Sequence, residues 1–241
     1  MKYKLLFLDT ETTGNEEGDH LCQVAYSDGS TRKSALFKPP VPISFESMAV
    51  HHITEKMVAG KPKFQFSVEY KELHEKFHDC ETIFIAHNAP FDLKMLKKEG
   101  LIPDYYIDTL RLARFLDPEE KIPSYRLQYL RYFLDLEINE VVTAHDALGD
   151  VIVLEKLFER LFKKCIEMNE GDETLALEQM MKISSEPSLI RSFKFGKYNG
   201  TLVADVASKD LGYLEWLLKQ KLETSPDDED WIYTLKFYLN K

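Results

Sequence analysis

The fold of this 241-residue chain is decided by the stretch YKLLFLDTETTG at residues 3–14. Its apolar run ends abruptly in polar residues, which is typical of a strand that is buried on both faces of a sheet. Because side chains alternate along a strand, Asp9 and Glu11 point to the same face near its end. Taken alone, the pair is either two solvated acids or two carboxylates that share a cation.

Further strands and helices follow along the chain. The turn residues at 28–30 separate two strand-like runs, Leu21–Ser27 and Thr31–Phe37, and so predict a hairpin. Apolar, β-rich runs predict strands at Thr82–Ala86 and Tyr105–Asp108. Helices are predicted at 68–77 after Ser67, from Pro90 to Lys98, at 110–115, at 124–134 and from Ala147 to Cys165. This order predicts an α/β fold with a mixed five-stranded sheet flanked by helices.

The pattern breaks around 168–171 and again at 184–188, and we place a boundary between the breaks. Residues 1–168 are the predicted main domain and residues 188–241 a small C-terminal module. Asn199-Gly200 lies between two short β-like runs, which predicts a hairpin, and a helix-like segment follows at 211–221. We therefore expect the module to be of α+β type.

Composition and net charge exclude several classes of protein. Hydrophobic residues make up 44% of the chain, which excludes a disordered protein. The net charge of −10 argues against a broad basic surface for nucleic acid. No apolar segment is long enough to cross a membrane, and the three cysteines form no close pair, so we expect a cytoplasmic protein without a membrane partner.

Two further carboxylates stand at positions typical of core residues. Asp92 shares a helical face with Met95 and Leu96, and Asp150 lies on the apolar face of the longest predicted helix. A helix cap is the simpler interpretation of Asp92 alone, as a loop or cap residue is for His145 alone. Four such acids at one sheet edge are relieved together by shared divalent cations, and Mg²⁺ suits hard carboxylate oxygens best.

Three segments carry a family resemblance. They are Leu8–Gly14 (LDTETTG), His87–Asp92 (HNAPFD) and His145 with Asp150 five residues later. In order and context they resemble the three motifs of the DEDDh, or DnaQ-like, 3′-5′ exonucleases, which have a ribonuclease H-like fold. The tyrosine of the sister DEDDy group is absent, because Asp146 occupies its place.

The resemblance implies a role for each motif residue. Asp9 bridges two Mg²⁺ ions, for which Mn²⁺ can substitute; Glu11 and Asp150 complete one metal site, and Asp92 holds the other. His145 acts as general base, and the products are nucleoside 5′-monophosphates. Residues expected to contact the terminal nucleotide are Thr12, His51, Asn88 and Phe91. An apolar wedge that follows the first motif in many members is replaced here by a polar stretch that starts at Asn15.

Two groups of basic residues are candidates for contacts with the nucleic-acid strand. Tyrosines interleave with basic residues in the middle third, which indicates either a groove for the strand or ordinary solvated helix faces. The basic residues are Lys94, Lys97, Lys98, Arg111, Arg114, Lys121, Arg126 and Arg131. The excess of Lys182, Arg191, Lys194 and Lys197 over Glu186 predicts a basic contact in the tail.

The segments at 48–59, 195–200 and 212–217 resemble the exodeoxyribonuclease X-like members of the family. This favours an exodeoxyribonuclease acting on DNA with a single-stranded or 3′-tailed end, in DNA repair or end processing. The alternatives are an exoribonuclease on RNA, a polymerase proofreading subunit, a small-molecule phosphodiesterase or an inactive nucleic-acid-binding protein.

Overall fold

The structure is a computed structural model that describes residues 2–140 and 146–240. Its centre is a sheet of five strands: β1 (Lys4–Thr12), β2 (Leu21–Ser27), β3 (Arg32–Leu36), β4 (Thr82–Ala86) and β5 (Tyr105–Asp108). The order is β3-β2-β1-β4-β5. β1, β2 and β3 pair antiparallel, whereas β4 pairs parallel with both β1 and β5. The predicted mixed sheet and its hairpin are confirmed.

Helices flank the sheet and form the C-terminal region. They are α1 (Phe45–His51), α2 (Glu55–Val58), α3 (Val68–Phe77), α4 (Ala89–Lys98), α5 (Thr109–Phe115), α6 (Leu127–Phe133), α7 (Ala147–Met168), α8 (Glu173–Ser185), α9 (Val203–Lys209), α10 (Leu211–Thr224) and α11 (Glu229–Leu239). Short 3-10 helices lie at Phe64–Phe66 and Gly196–Tyr198. In the part of the chain that the structure describes, no helix has the length and hydropathy of a membrane span.

β1 is buried on both faces, and its alternating side chains belong to two cores. Phe7 packs in one cluster with Val151 and Phe158 of α7. Leu6 and Leu8 pack in the other, which includes side chains of α3 and α4. The alternation continues past the apolar run, so β1 presents Asp9 and Glu11 on the α7 side and Thr10 on the α4 side. This arrangement positions the site.

The C-terminal region is helical, which corrects the predicted α+β module. α9, α10 and α11 enclose a separate cluster around Phe193, Leu214 and Trp231. In place of the predicted hairpin at Asn199-Gly200, the described residues show one isolated antiparallel bridge between Ser192 and Leu202. Backbone hydrogen bonds from Phe193 to Thr201 and from Val203 to Arg191 join the two runs, but neither run forms a strand. Phe193 instead packs against Tyr213 of α10 and Trp231 of α11.

A buried arginine joins this region to the sheet. Arg111 is 2% exposed, and its guanidinium donates to the Ser184 carbonyl oxygen at 2.7 Å, to Glu229 at 2.6 Å and to Asp230 at 3.2 Å. Asp108, at the end of β5, lies 3.9 Å from the same guanidinium. The acidic run at 227–230 leads into α11. Asp230 is buried there because it pairs with Arg111 and Arg114.

We expect the substitution Arg111→Met to lower the free energy of unfolding by about 3–5 kcal/mol, because Asp108 and Asp230 would stay buried without their cation. Urea unfolding followed by circular dichroism measures the loss. Lys156→Met is the matched control, since its pair with Glu159 is exposed and is worth about 0.5 kcal/mol. A loss below about 1 kcal/mol for Arg111→Met would contradict the role assigned to this arginine.

Candidate active site

Three of the predicted carboxylates meet at the end of β1. Oxygen atoms of Asp9, Glu11 and Asp150 all lie within 4.8 Å of one another. Asp9 and Glu11 reach this point from β1, and Asp150 reaches it from the first turn of α7, which packs on the same face of the sheet. The like-facing pair predicted from strand alternation is therefore completed by a residue about 140 positions later in the chain.

The fourth carboxylate, Asp92, approaches from the other layer. It lies in the first turn of α4, is 3% exposed and accepts a hydrogen bond from the Thr10 hydroxyl at 2.7 Å. Thr10 points away from Asp9 along β1, so it reaches α4 while Asp9 reaches α7. α4 begins at Ala89, with Asn88 as its N-cap residue.

Burial and mutual repulsion raise the pKa values of these acids. Burial raises the pKa of Asp9 well above its ordinary range, and the charges of Asp92 and Asp150 add to the effect. The pKa of Glu11 rises to about 8 through burial and then through the charge of Asp150. Burial also raises the pKa of Asp92 to about 7. A divalent cation bound by these hard oxygen donors would relieve both costs, so the donor set fits a divalent metal.

Two glutamines that the sequence did not single out hold the α7 side of the site. The Gln128 amide, on α6, donates to Asp150. Gln23, which pairs with Glu11 across β1 and β2, donates to Asp146 at 3.0 Å and accepts from the Ala147 amide at 3.4 Å. Asp146 is the N-cap residue of α7, and its side chain accepts from Gln23 rather than from a backbone amide of the helix. From the sequence, Gln23 could have been identified only through its pairing with Glu11 on the neighbouring strand. No sequence pattern indicated Gln128.

Asp108 holds the turn that precedes α4. It is 1% exposed and accepts hydrogen bonds from the backbone amides of Asn88 and Leu110, both at 2.9 Å. Burial raises its pKa to about 6. Asn88 has a left-handed backbone conformation, with φ of 67°, which an asparagine tolerates better than most residues. The Asp108 carboxylate therefore fixes the turn that places Asp92.

The predicted nucleotide contacts divide between two places. Thr12 and His51 lie together, with His51 Nε2 3.1 Å from the Thr12 carbonyl oxygen. The Ile53 amide donates to Nδ1 of His51 at 3.0 Å, so Nε2 carries the hydrogen, and burial lowers the pKa of this histidine. Asn88 is exposed, whereas Phe91 is half-buried against the α4 core. His145, the predicted general base, lies outside the described residues.

The polar stretch that replaces the apolar wedge is closed on itself. Asp19 accepts hydrogen bonds from the Thr13 hydroxyl at 2.6 Å and from the Glu16 amide at 2.8 Å. Lys98, at the end of α4, donates to the carbonyl oxygens of Glu17 and Asp19 at 2.6 and 2.7 Å. This loop is thus tied to the helix that carries Asp92.

Several basic residues expected to line a strand groove serve the fold instead. Arg111 and Arg114 pair with Asp230, and Lys94 pairs with Asp227. Lys98 donates to the polar loop that begins at Asn15. The prediction is wrong for Arg111, which is buried. Sequence position could not separate these residues from surface cations, because their partners lie 79 to 133 positions away.

The chain matches known proteins along nearly its whole length. Residues 6–158 match the RNase T family, described as exonuclease, and residues 193–221 match the family described as exodeoxyribonuclease X-like C-terminal. Exodeoxyribonuclease 10 of Escherichia coli strain K12 is 36% identical over 238 residues, 98% of each chain. A DNA polymerase III subunit epsilon-like protein of Rhodobacter capsulatus is 32% identical over 176 residues, 66% of this chain and 24% of its own.

A solved structure shows the same fold. Exonuclease X in complex with 5′ overhanging duplex DNA aligns with a TM-score of 0.58 at 29% identity, covering 75% of this chain and 99% of that chain.

We expect the stability of the metal-free protein to fall as pH rises from 7 to 8.5. In this range the folded state keeps protons on acids such as Glu11, whose pKa is about 8, whereas the unfolded state has lost them. Mg²⁺ should raise the melting temperature more at pH 8.5 than at pH 7, because it binds the ionised carboxylates. Calorimetry with EDTA or Mg²⁺ checks both expectations. If the melting temperature falls equally between pH 7 and pH 8.5 in EDTA and in Mg²⁺, the carboxylate cluster does not bind the cation as expected.

We also expect Gln128→Leu to weaken Mg²⁺ binding about tenfold, because residues that orient metal-binding carboxylates contribute on this scale. Titration calorimetry of the metal measures the loss. Gln179→Leu is the matched control, since Gln179 contacts Asn169 at the far end of α7. Unchanged affinity in Gln128→Leu would show that its hydrogen bond to Asp150 has no role in metal binding.

Proposed function

The chain belongs to the RNase T, or DnaQ-like, exonuclease family and carries the C-terminal region of the exodeoxyribonuclease X type, and from this we propose that it is a metal-dependent exodeoxyribonuclease that shortens DNA from 3′ ends. The observation that carries the proposal is the meeting of Asp9, Glu11 and Asp150 within 4.8 Å, with Asp92 acting on them from the other side of β1. Such a cluster has no structural use without cations.

The metal ligands are the four carboxylates. Asp9, Glu11 and Asp150 would hold one Mg²⁺, and Asp92 with Asp9 would hold a second; Mn²⁺ could replace either. When bound, the two ions neutralise the carboxylates and stabilise negative charge on the attacking and leaving oxygens of the phosphodiester. Thr10 and Gln128 keep Asp92 and Asp150 in place through their hydrogen bonds.

His145 is the proposed general base. It accepts a proton from the attacking water, whose oxygen bonds to phosphorus as the bond from phosphorus to the 3′ oxygen of the preceding nucleotide breaks. That 3′ oxygen takes up a proton from solvent, and the terminal nucleotide leaves as a nucleoside 5′-monophosphate. This role rests on the family resemblance of the His145 motif.

The terminal nucleotide is proposed to contact Thr12, His51, Asn88 and Phe91. Nε2 of His51 donates to the carbonyl oxygen of Thr12, and the Ile53 amide donates to Nδ1, so both ring nitrogens of His51 are occupied by backbone groups. His51 therefore shapes the pocket and holds Thr12. Phe91 offers its exposed edge to the base.

DNA is favoured over RNA by the relatives. The one that matches over 98% of both chains is named an exodeoxyribonuclease, and the aligned solved structure holds duplex DNA. We propose a single-stranded or 3′-tailed DNA end as substrate, with a role in DNA repair or end processing. Cys22, Cys80 and Cys165 are free thiols, which favours a reducing, cytoplasmic setting. We further propose residues 1–168 as the catalytic domain and 188–241 as an accessory module.

The proposal is tested by digesting matched 3′-tailed DNA and RNA oligonucleotides with Mg²⁺ and resolving the products by length. Stepwise loss of 3′ nucleotides from DNA supports it. Preferential trimming of RNA would make the protein an exoribonuclease with the same metal chemistry. Cleavage of dinucleotides alone would indicate a small-molecule phosphodiesterase, and no digestion at all would indicate a binding protein.

In the same assay we expect His145→Ala to lose at least about 100-fold in turnover, as is typical when a general base is removed, while Mg²⁺ binding stays intact. Asp150→Asn should lose both turnover and metal affinity, since it removes a ligand charge. Glu167→Gln, at the far end of α7, is the control. Normal turnover in His145→Ala would reject this histidine as the base.

A further inference from the structure

The C-terminal module is fastened beside the active-site edge of the sheet. The start of α11 is bound to Arg111 and Arg114, which follow directly after β5, and Arg111 also lies 3.9 Å from Asp108. Asp108 in turn holds the Asn88 turn. Because β1, β4 and β5 run parallel to one another, their C-terminal ends lie at the same edge as the metal carboxylates.

One loop of the module is preformed and exposed at its tip. Its base is held by the Glu120 carboxylate, which accepts from the Arg191 amide at 2.9 Å and from the Ser192 hydroxyl. Backbone hydrogen bonds from Phe193 to Thr201 and from Gly200 to Phe193, at 2.9 and 2.7 Å, close it. The loop therefore presents the exposed residues at 194–197 in a fixed orientation.

Aromatic rings form a continuous surface under this loop. Tyr198 contacts Tyr213 at 4.9 Å between ring centroids, and Tyr213 contacts Trp216 at 5.4 Å. Phe195 packs on Trp231 on the other side of the loop. Trp216 is 54% exposed and Phe195 is 38% exposed, so each offers a ring to solvent. Lys197 Nζ lies 4.7 Å from the Tyr198 ring centroid.

The loop above these rings is basic although the protein is acidic. Residues 187–204 contain Arg191, Lys194 and Lys197 and no acid, and Asp205, Asp210 and Glu215 follow. Among the described residues, the side chains of Arg191 and Lys194 form no ion pair, and Lys197 pairs with Asp210. The acids of the module at 227–230 are engaged by Lys94, Lys221, Arg111 and Arg114. Arg191 and Lys194 are thus available to another anion.

We infer that the surface formed by Lys194, Phe195, Lys197, Tyr198 and Trp216 is a second binding site, which holds the substrate's single DNA strand upstream of the 3′ end. Cations interleaved with exposed aromatic rings bind phosphates and stack bases with little sequence preference. Glu120, which holds the base of the loop, precedes α6, and Gln128 of α6 contacts Asp150, so one strand of sufficient length can extend from the metal site to this surface. The inference rests on the proposed function for its substrate, but it adds a site outside the exonuclease motifs.

Substrates of two lengths distinguish an effect on this surface from an effect on the catalytic site. A dinucleotide fills only the metal site, whereas a single strand of about 20 nucleotides is long enough to extend to the module. We expect Lys194→Glu with Trp216→Ala, in the full chain, to reduce kcat/KM on the long strand about tenfold, because each stacked base and phosphate contact contributes several-fold. The kcat/KM on the dinucleotide should stay within about twofold.

Matched controls lie in the same module. Lys236→Glu makes the same charge change on α11, and Phe237→Ala removes a ring that is 54% exposed, as Trp216 is. Neither control substitution should change the ratio of kcat/KM on the long strand to kcat/KM on the dinucleotide. Melting temperatures verify folding, and Lys194→Gln, which is milder than the charge reversal, should show a smaller loss of the same kind. An equal loss on both substrates, or none on the long strand, would overturn the inference.

A binding measurement keeps this test independent of catalysis. Fluorescence anisotropy with the long strand in EDTA should show weaker binding in the double variant and a salt slope shallower by about one for Lys194→Glu. If the wild-type protein binds the strand through this surface but digests no nucleic acid, the proposed function fails and the second site stands. If the double variant binds DNA as the wild type does, a protein partner for this surface would replace the DNA strand.

Discussion

Repulsion among carboxylates at one edge of the sheet is the constraint on which the rest of this structure depends. Burial and the neighbouring charges raise the pKa values of Asp9, Glu11 and Asp92 well above those of free acids. The surrounding fold must be stable enough to hold such a cluster, and a bound divalent cation would relieve the repulsion. The two cores against β1 supply that stability, because they clamp the strand from both faces.

The supports of the site are spread over the chain. Thr10 holds Asp92, Gln128 holds Asp150, and Asp108 holds the turn at Asn88. Asp108 leads through Arg111 to the C-terminal module, whose acids Glu229 and Asp230 complete the coordination of that guanidinium. The module is therefore part of the structure around the active site rather than a separate appendage, and its aromatic, basic surface is presented in a fixed relation to the metal edge.

The family relation and the geometry support each other at different levels. The match to an exodeoxyribonuclease over 98% of both chains indicates the class of reaction. The close approach of the carboxylate oxygens indicates how this chain can perform it. The polar loop that replaces the apolar wedge of many family members is tied to α4 by Lys98. We therefore propose that contacts to the terminal base depend on other residues, Phe91 among them.

The sequence by itself determined the five strands, the long helix α7 and the identity of the four clustered acids, because these follow from local periodicity and from misplaced charges. It misjudged Arg111, and it predicted a hairpin at Asn199-Gly200 that packing against α10 and α11 replaces. Gln128 could not be identified from the sequence, since a single glutamine on a short helix belongs to no recognisable sequence motif. Tertiary structure alone decided which polar groups meet, because hydrogen bonds and ion pairs between residues far apart in the chain depend on the packing of whole elements, which leaves no local signal.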